Sequence, residues 1–283
     1  MKLCNINVNG QTHLGVYGVN GIVDATAAGI PLTMDEVIAG ADRACLAALE
    51  SDPAAAAVEN AVFANVVDQP GKLICVGLNY RAHADGLNDT AHFKTADCPI
   101  LFSKYNDALV PSGAEVELPP WEVSYDYEAE LVIVMGKEAW GVSEEEALDC
   151  VFGYTCGNDF SCRDPQMRSG QWLIGKTMPG FGPCGPYIVT KDEYDIKKGH
   201  SVKSYVNGQL RQDGTTADMI FSAAKIISYA SRYVKLCPGD LIFTGTPSGV
   251  ALEKGESVRK WLIPGDRVDV ELEGIGTLTN YMV

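Results

Sequence analysis

The stretch from Tyr125 to Met135 constrains this chain more than any other. Leu131-Val132-Ile133-Val134-Met135 is a short apolar, partly β-branched run closed by Gly136, the pattern of a strand buried on both faces. Two carboxylates stand at its start. Side chains alternate along a strand, so Glu128 and Glu130 share a side with Val132 and Val134. Like charges side by side on a buried strand repel, and each is costly to desolvate. A divalent cation compensates both most economically, because hard cations take carboxylate oxygens.

A third carboxylate ends the next strand signal, Phe152 to Asp159. Glu128, Glu130 and Asp159 would form an all-oxygen site suited to Mg²⁺ or Mn²⁺, with Ca²⁺ a further option. An E-x-E pair on a solvated strand face is the plainer alternative, and only neighbouring motifs decide against it.

The net charge of −15 argues against nucleic acid and anionic membrane surfaces as partners. It does not exclude a small anionic substrate, since a bound metal overrides the global field locally. The first residues show no signal-peptide core, and no apolar run reaches bilayer-spanning length, so the sequence reads as cytoplasmic. None of the nine cysteines forms a C-x-x-C pair, so they read as reduced, mostly buried thiols.

Turn and cap signals organise the rest. Asn9-Gly10, Asn20-Gly21 and Asn207-Gly208 predict hairpins. Thr33 to Glu36 and Ser143 to Glu146 predict capped helices, and Met219 to Tyr233 has helical spacing. A boundary is expected at Pro70-Gly71, giving a small N-terminal β-α domain over 1–70 and a large domain over 71–283. The polar stretch Ala84 to Cys98 reads as a loop or lid. Strands dominate, so the fold class is α+β and β-rich, a sandwich or roll with helices outside. Gly180 to Gly185 spells G-x-G-x-x-G but precedes a strand, which excludes a dinucleotide site.

His83 follows a strand junction and is the candidate general base. Lys176 is an isolated cation, and Thr244 to Val250 is a tight turn able to present donors to an oxyanion. Each has a bland reading as a surface or turn residue.

Taken in order, Val76-Gly77-Leu78-Asn79-Tyr80-Arg81-Ala82-His83, Tyr127 to Leu131, Gly157-Asn158-Asp159 with Arg163 to Gln166, Gly175-Lys176 and Thr244 to Val250 resemble the fumarylacetoacetate hydrolase family. The resemblance covers residues 72–283. It implies a mixed β-sandwich roll, a homodimer, and a metal on Glu128, Glu130 and Asp159. It places Lys176 beside the metal and His83 as acid/base, with Tyr80, Arg163, Gln166 and Thr246 around the substrate. The implied function is metal-dependent hydrolysis of a C–C bond in a small β-diketo acid of the acylpyruvate type, through an enolate held on the metal. The alternative is a 2-oxo acid decarboxylase, tautomerase, hydratase or lyase on the same site. A catalytically silent metal-binding relative is a third reading. Many family members carry a glutamate three residues after the histidine, where this chain has Gly86; Asp85 or Asp89 is expected to stand in. Met178-Pro179-Gly180 also replaces a more usual Phe-Asp pair.

Overall fold

The computed structural model describes residues 1–91 and 97–283, without the side chains of 87–91. Its main layer is a nine-stranded mixed sheet. Across it run Gly21–Asp24, Gln11–Gly18, Lys2–Val8, Cys184–Thr190, Val151–Asn158, Ala129–Met135, Leu241–Phe243, Leu73–Gly77 and Ile100–Lys104. All pairings are antiparallel except that of Leu241–Phe243 with Leu73–Gly77. A second sheet of five strands joins Gln209–Thr215, Ser201–Val206, Arg267–Leu272, Gly276–Met282 and Glu115–Val116.

The strand Ala129–Met135 lies inside the main sheet and is buried at every position. Leu131, Ile133 and Met135 face a core shared with Val202, Val270 and Leu278 of the second sheet. Val132 and Val134 face the opposite core, with Leu3, Leu14, Leu46 and Phe243. Burial on both faces is what the continuous apolar run demands. The first 70 residues therefore add strands to the sheet of the large domain and share its core. The division at residue 70 is kept as a proposal about sequence organisation.

The hairpin signals act as expected. Asn9 and Gly10 both take positive φ, 54° and 84°, as do Asn207 and Gly208, 52° and 75°. That geometry matches the twist of the flanking strands. Thr33 and Ser143 each form a full capping box, and the helix Ala223–Ser231 falls inside the periodic stretch. The G-x-G-x-x-G stretch leads into the strand Cys184–Thr190, not a helix.

One expectation is corrected. The start of the supposed lid is an α-helix, Arg81–Ala91, while 92–96 lie outside the described residues. Gly86, Asp85, Asn88 and Asp89 are weak helix formers and hide the periodicity. At the start of the helix His83 and Ala84 are buried.

Candidate active site and metal centre

The acidic cluster is assembled by the sheet edge-on to its ladder. Asp159 continues the strand Val151–Asn158, and its N–H donates to the Glu128 carbonyl at 2.9 Å. The Asn158 side chain accepts from the Glu128 N–H at 2.9 Å. Glu130 pairs with Gly157 one ladder step on. Ligand oxygens of Glu128, Glu130 and Asp159 lie within 4.8 Å of one another, and all three residues are buried. The sequence expectation thus comes together in space.

Cations surround two members of the trio and leave the third. Glu128 accepts from Arg163 Nη1 at 2.7 Å and from Lys176 Nζ at 2.9 Å. Asp159 accepts from Lys176 Nζ at 2.7 Å and pairs with Lys104 Nζ at 2.5 Å. Glu130 forms no direct ion pair among the described residues, although the Lys176 charge acts on it from nearby. It accepts one N–H, from Gly245 at 2.7 Å. Gly245 holds φ +97° and a Cβ there would fall 2.7 Å from Asn79 Cβ, so the turn approaches this closely only with glycine.

Electrostatics follow this geometry. Burial opposes ionisation of Glu128, yet Lys176 and Arg163 outweigh it and hold its carboxyl well below the usual carboxylate range. Burial pushes Glu130 well above that range, and the charges of Asp159 and Glu128 push it further. Burial disfavours the charge on Lys176, but Asp159 and Glu128 hold it protonated, above its ordinary value. A buried carboxylate with no cation of its own, converging on two others, fits a divalent ion of the oxygen-loving kind. Glu128, Glu130 and Asp159 would hold it.

The acid/base candidate has a partner that the sequence did not disclose. His83 Nδ1 makes a short hydrogen bond with Glu253 Oε1. Glu253 belongs to the turn Ala251–Glu253 that follows the Thr244 to Val250 segment, and its Oε2 accepts from the Gly249 N–H at 2.6 Å. A Cβ built on Gly86 would sit 3.5 Å from Glu253 Cδ. The carboxylate therefore reaches the same side of the helix that a residue at 86 would occupy. Asp85, expected as the stand-in, is exposed and lines a different groove with Arg81 and Asp213. It follows His83 by two residues, which on a helix turns it away. Asp89 lies on the same helix, and its side chain is among those not described.

Asp126 is a second feature missed from sequence. It is fully buried and binds Arg163 through Nε at 2.9 Å and Nη2 at 2.8 Å. It also accepts the N–H groups of Ala251 at 2.8 Å and Leu252 at 3.0 Å. One carboxylate thus fixes both the guanidinium on Glu128 and the turn that carries Glu253. Burial works against the Arg163 charge, but Asp126 and Glu128 hold its pKa above the usual value. Lys104 is a third: besides Asp159 it donates to the carbonyls of Phe160 and Lys176. An aspartate two residues before the E-x-E and a glutamate soon after the donor turn were the available signals.

His83, Glu128, Arg163, Gln166, Lys176 and Thr246 line one cleft. The Gln166 side chain accepts from Arg163 Nη1 at 3.0 Å, and Thr246 donates to the Ala129 carbonyl at 2.9 Å. Tyr80 does not join them. Its ring is buried, it bridges to Met219 through the backbone, and it borders the groove of Asp85.

Residues 72–283 match the sequence profile of the fumarylacetoacetate (FAA) hydrolase C-terminal family, and the chain belongs to that family. It is 40% identical over 217 residues to oxaloacetate tautomerase YisK of Bacillus subtilis (strain 168), covering 76% of this chain and 70% of that protein. It is 37% identical over 222 residues to the mitochondrial oxaloacetate tautomerase Fahd2a of Rattus norvegicus, covering 78% and 69%. Among solved structures, fumarylacetoacetate hydrolase from Exiguobacterium antarcticum superposes with a TM-score of 0.85 at 33% identity, covering 100% of this chain and 99% of that one. Fumarylpyruvate hydrolase from Pseudomonas aeruginosa, in complex with Mn²⁺ and pyruvate, superposes with a TM-score of 0.67 at 34% identity, covering 76% and 92%. The expected strand-rich α+β fold stands, and the chain is an enzyme of this superfamily with an acidic cluster able to hold a metal.

Proposed function

We propose that the chain is a divalent-metal-dependent tautomerase of an oxaloacetate-type 2-oxo acid, interconverting its keto and enol forms. The hydrolytic reading favoured from the sequence moves to second place. What carries this reading is one cleft lined both by a carboxylate-backed imidazole and by Glu128 of the acidic cluster. The similarity to two oxaloacetate tautomerases supports it.

The reaction moves one proton between carbon 3 and the oxygen on carbon 2. A cation on Glu128, Glu130 and Asp159, Mg²⁺ or Mn²⁺ by preference, would acidify the carbon 3 hydrogen by drawing charge from the 2-oxo group. Glu253 accepts the Nδ1–H of His83, which leaves Nε2 as the basic nitrogen. His83 takes the proton from carbon 3 and delivers it to the oxygen on carbon 2, so its own protonation is unchanged over the cycle. Glu253 steadies the imidazolium in between. Lys176 and Arg163 hold Glu128 and Asp159 in place and offset their charge beside an anionic substrate. Gln166 and Thr246 are assigned to the cleft wall. No water is consumed, which separates this reaction from C–C hydrolysis at the same site.

The test follows the enol absorbance of oxaloacetate with Mn²⁺ or Mg²⁺, with pyruvate release and acylpyruvate cleavage measured in parallel. Enol decay faster than pyruvate formation supports the reading. Acylpyruvate cleavage without tautomerisation would return the hydrolase, which the similarity to the two hydrolases supports. A homodimer is proposed on family grounds. Among the described residues no helix is long and apolar enough to cross a membrane. A cytoplasmic location remains a proposal, since the rat relative is named mitochondrial.

A further inference from the structure

The strand Ala129–Met135 outruns its neighbour. Leu241–Phe243 pairs with it only from Val134 to Val132. Thr244 then covers the Leu131 carbonyl, through its N–H at 3.0 Å and its hydroxyl at 2.8 Å. Ala129, the residue between Glu128 and Glu130, turns its own N–H and carbonyl to side chains instead of a strand. The N–H donates to Gln212 Oε1 at 2.9 Å, and the carbonyl accepts from Thr246 Oγ1 at 2.9 Å. Gln212 Nε2 closes the ring by donating to Thr246 Oγ1 at 2.7 Å. A side-chain amide carries the donor and acceptor of a peptide group, so Gln212 stands where a strand would pair.

Each hydrogen in the ring is assigned by its partners. The Ala129 N–H can only donate, so the Gln212 atom facing it is the oxygen. Gln212 Nε2 also donates to the Pro247 carbonyl at 2.8 Å, which uses its second hydrogen. Thr246 accepts from Gln212 and gives its single hydroxyl hydrogen to the Ala129 carbonyl. That hydroxyl has no hydrogen left for a ligand, although Thr246 lines the cleft. Ser204 donates to Gln212 Oε1 at 2.8 Å from outside the ring.

The second sheet delivers the amide. Gln212 is the one buried residue of the edge strand Gln209–Thr215. Ser204 opposes Gln212 and Tyr205 opposes Leu210, so Arg211 is an extra residue that bulges the strand here. The turn it meets is packed close on both sides. A Cβ on Gly214 would fall 2.5 Å from Pro247 Cβ, and one on Gly249 would collide with the Arg211 carbonyl oxygen.

We propose that Gln212 is a positioning residue of the acidic centre. It fixes the peptide between Glu128 and Glu130. Through Thr246 it also fixes the turn whose Gly245 N–H holds the Glu130 carboxylate at 2.7 Å. The two carboxylates thereby keep the convergence that a cation requires. The inference rests on the metal site of the proposed function, not on which acid is turned over.

The test is Mn²⁺ titration calorimetry on the metal-free full chain. Gln212→Met keeps the length and removes the amide. Thr246→Val keeps the shape and removes the hydroxyl. Each should weaken Mn²⁺ binding about tenfold or more, the loss expected when a group supporting a metal ligand is removed. The double variant should bind no worse than the weaker single one, because both break one ring. Thr246→Ser keeps the hydroxyl and should bind Mn²⁺ like the wild type. Ser204→Ala removes only the outer hydrogen bond and should leave Mn²⁺ affinity unchanged. Melting curves identify a variant that does not fold, and Thr246→Val carries the test if Gln212→Met fails. Unchanged Mn²⁺ affinity in the folded variants, or fully additive losses in the double variant, overturns the inference. So does a Thr246→Val chain that binds Mn²⁺ normally and pyruvate poorly, the mark of direct ligand contact. A wild type that binds no Mn²⁺ removes the metal site and this inference with it. A wild type that binds Mn²⁺ but tautomerises nothing overturns the proposed reaction alone.

Discussion

His83 and Glu253 hydrogen-bond across 170 residues of sequence. The contact supplies the orienting carboxylate that Gly86 denies to the helix. Glu253→Gln keeps the size and removes the charge. It should lower kcat about 10²-fold or more with little change in KM, the loss expected when a base loses its partner. Asp85→Asn should change kcat less than about twofold, because Asp85 faces another groove. Steady-state kinetics on oxaloacetate checks both.

The same geometry permits a relocation. His83 and Gly86 are three apart on a helix and share a face. In Glu253→Ala, adding Gly86→Glu should recover at least about tenfold of the lost rate. The emptied place is where the new side chain would reach. Failure of the double variant, with folding intact by circular dichroism, would mean that Glu253 acts through the turn it anchors.

Glu130 links metal binding to pH. Its carboxyl is ordinarily near 4.5 and is raised in the metal-free fold by burial and by its acidic neighbours. Above the unfolded pKa the folded chain holds a proton that the unfolded chain has lost. Stability from this group therefore falls as pH rises toward the folded pKa. Glu128 has the opposite sign, contributing stability above its unfolded pKa and losing it as pH falls. Metal-free Glu130→Gln should melt no lower than wild type at pH 5 and higher at pH 8. It should also lose the upward shift that Mn²⁺ gives the wild type. Calorimetry in buffers of different ionisation heat should show a proton released as Mn²⁺ binds wild type.

Asp126→Asn breaks a buried ion pair and leaves Arg163 short of a partner. The cost should be about 3–5 kcal/mol in urea unfolding. Activity should fall further than stability alone explains, since the turn holding Glu253 is released too.

The acidic trio was legible because its residues lie on or directly beside strands, whose alternation states which way they point. Glu128 immediately precedes the strand that holds Glu130, and Asp159 immediately follows the neighbouring one. Lys176 stood out as an isolated cation in its stretch, and Arg163 entered only through the family resemblance. Glu253 escaped because its role exists only after the sheet brings the turn Ala251–Glu253 against the helix Arg81–Ala91. That helix was itself hidden, its sequence being poor in helix formers. Tyr80 lies between Asn79 and His83 in the motif, and its buried ring is not part of the cleft wall. Lys104 ends the strand Ile100–Lys104, and nothing near it in sequence points to Asp159.

Asp126 gives the site a shared keystone. The cluster that would grip the ion leans on it through Arg163, and the proton-handling pair leans on it through the amides of Ala251 and Leu252. Neither half can be retuned alone. A substitution that reshapes the turn to suit a new substrate also loosens the guanidinium, so altered specificity in this scaffold should arrive together with altered metal affinity.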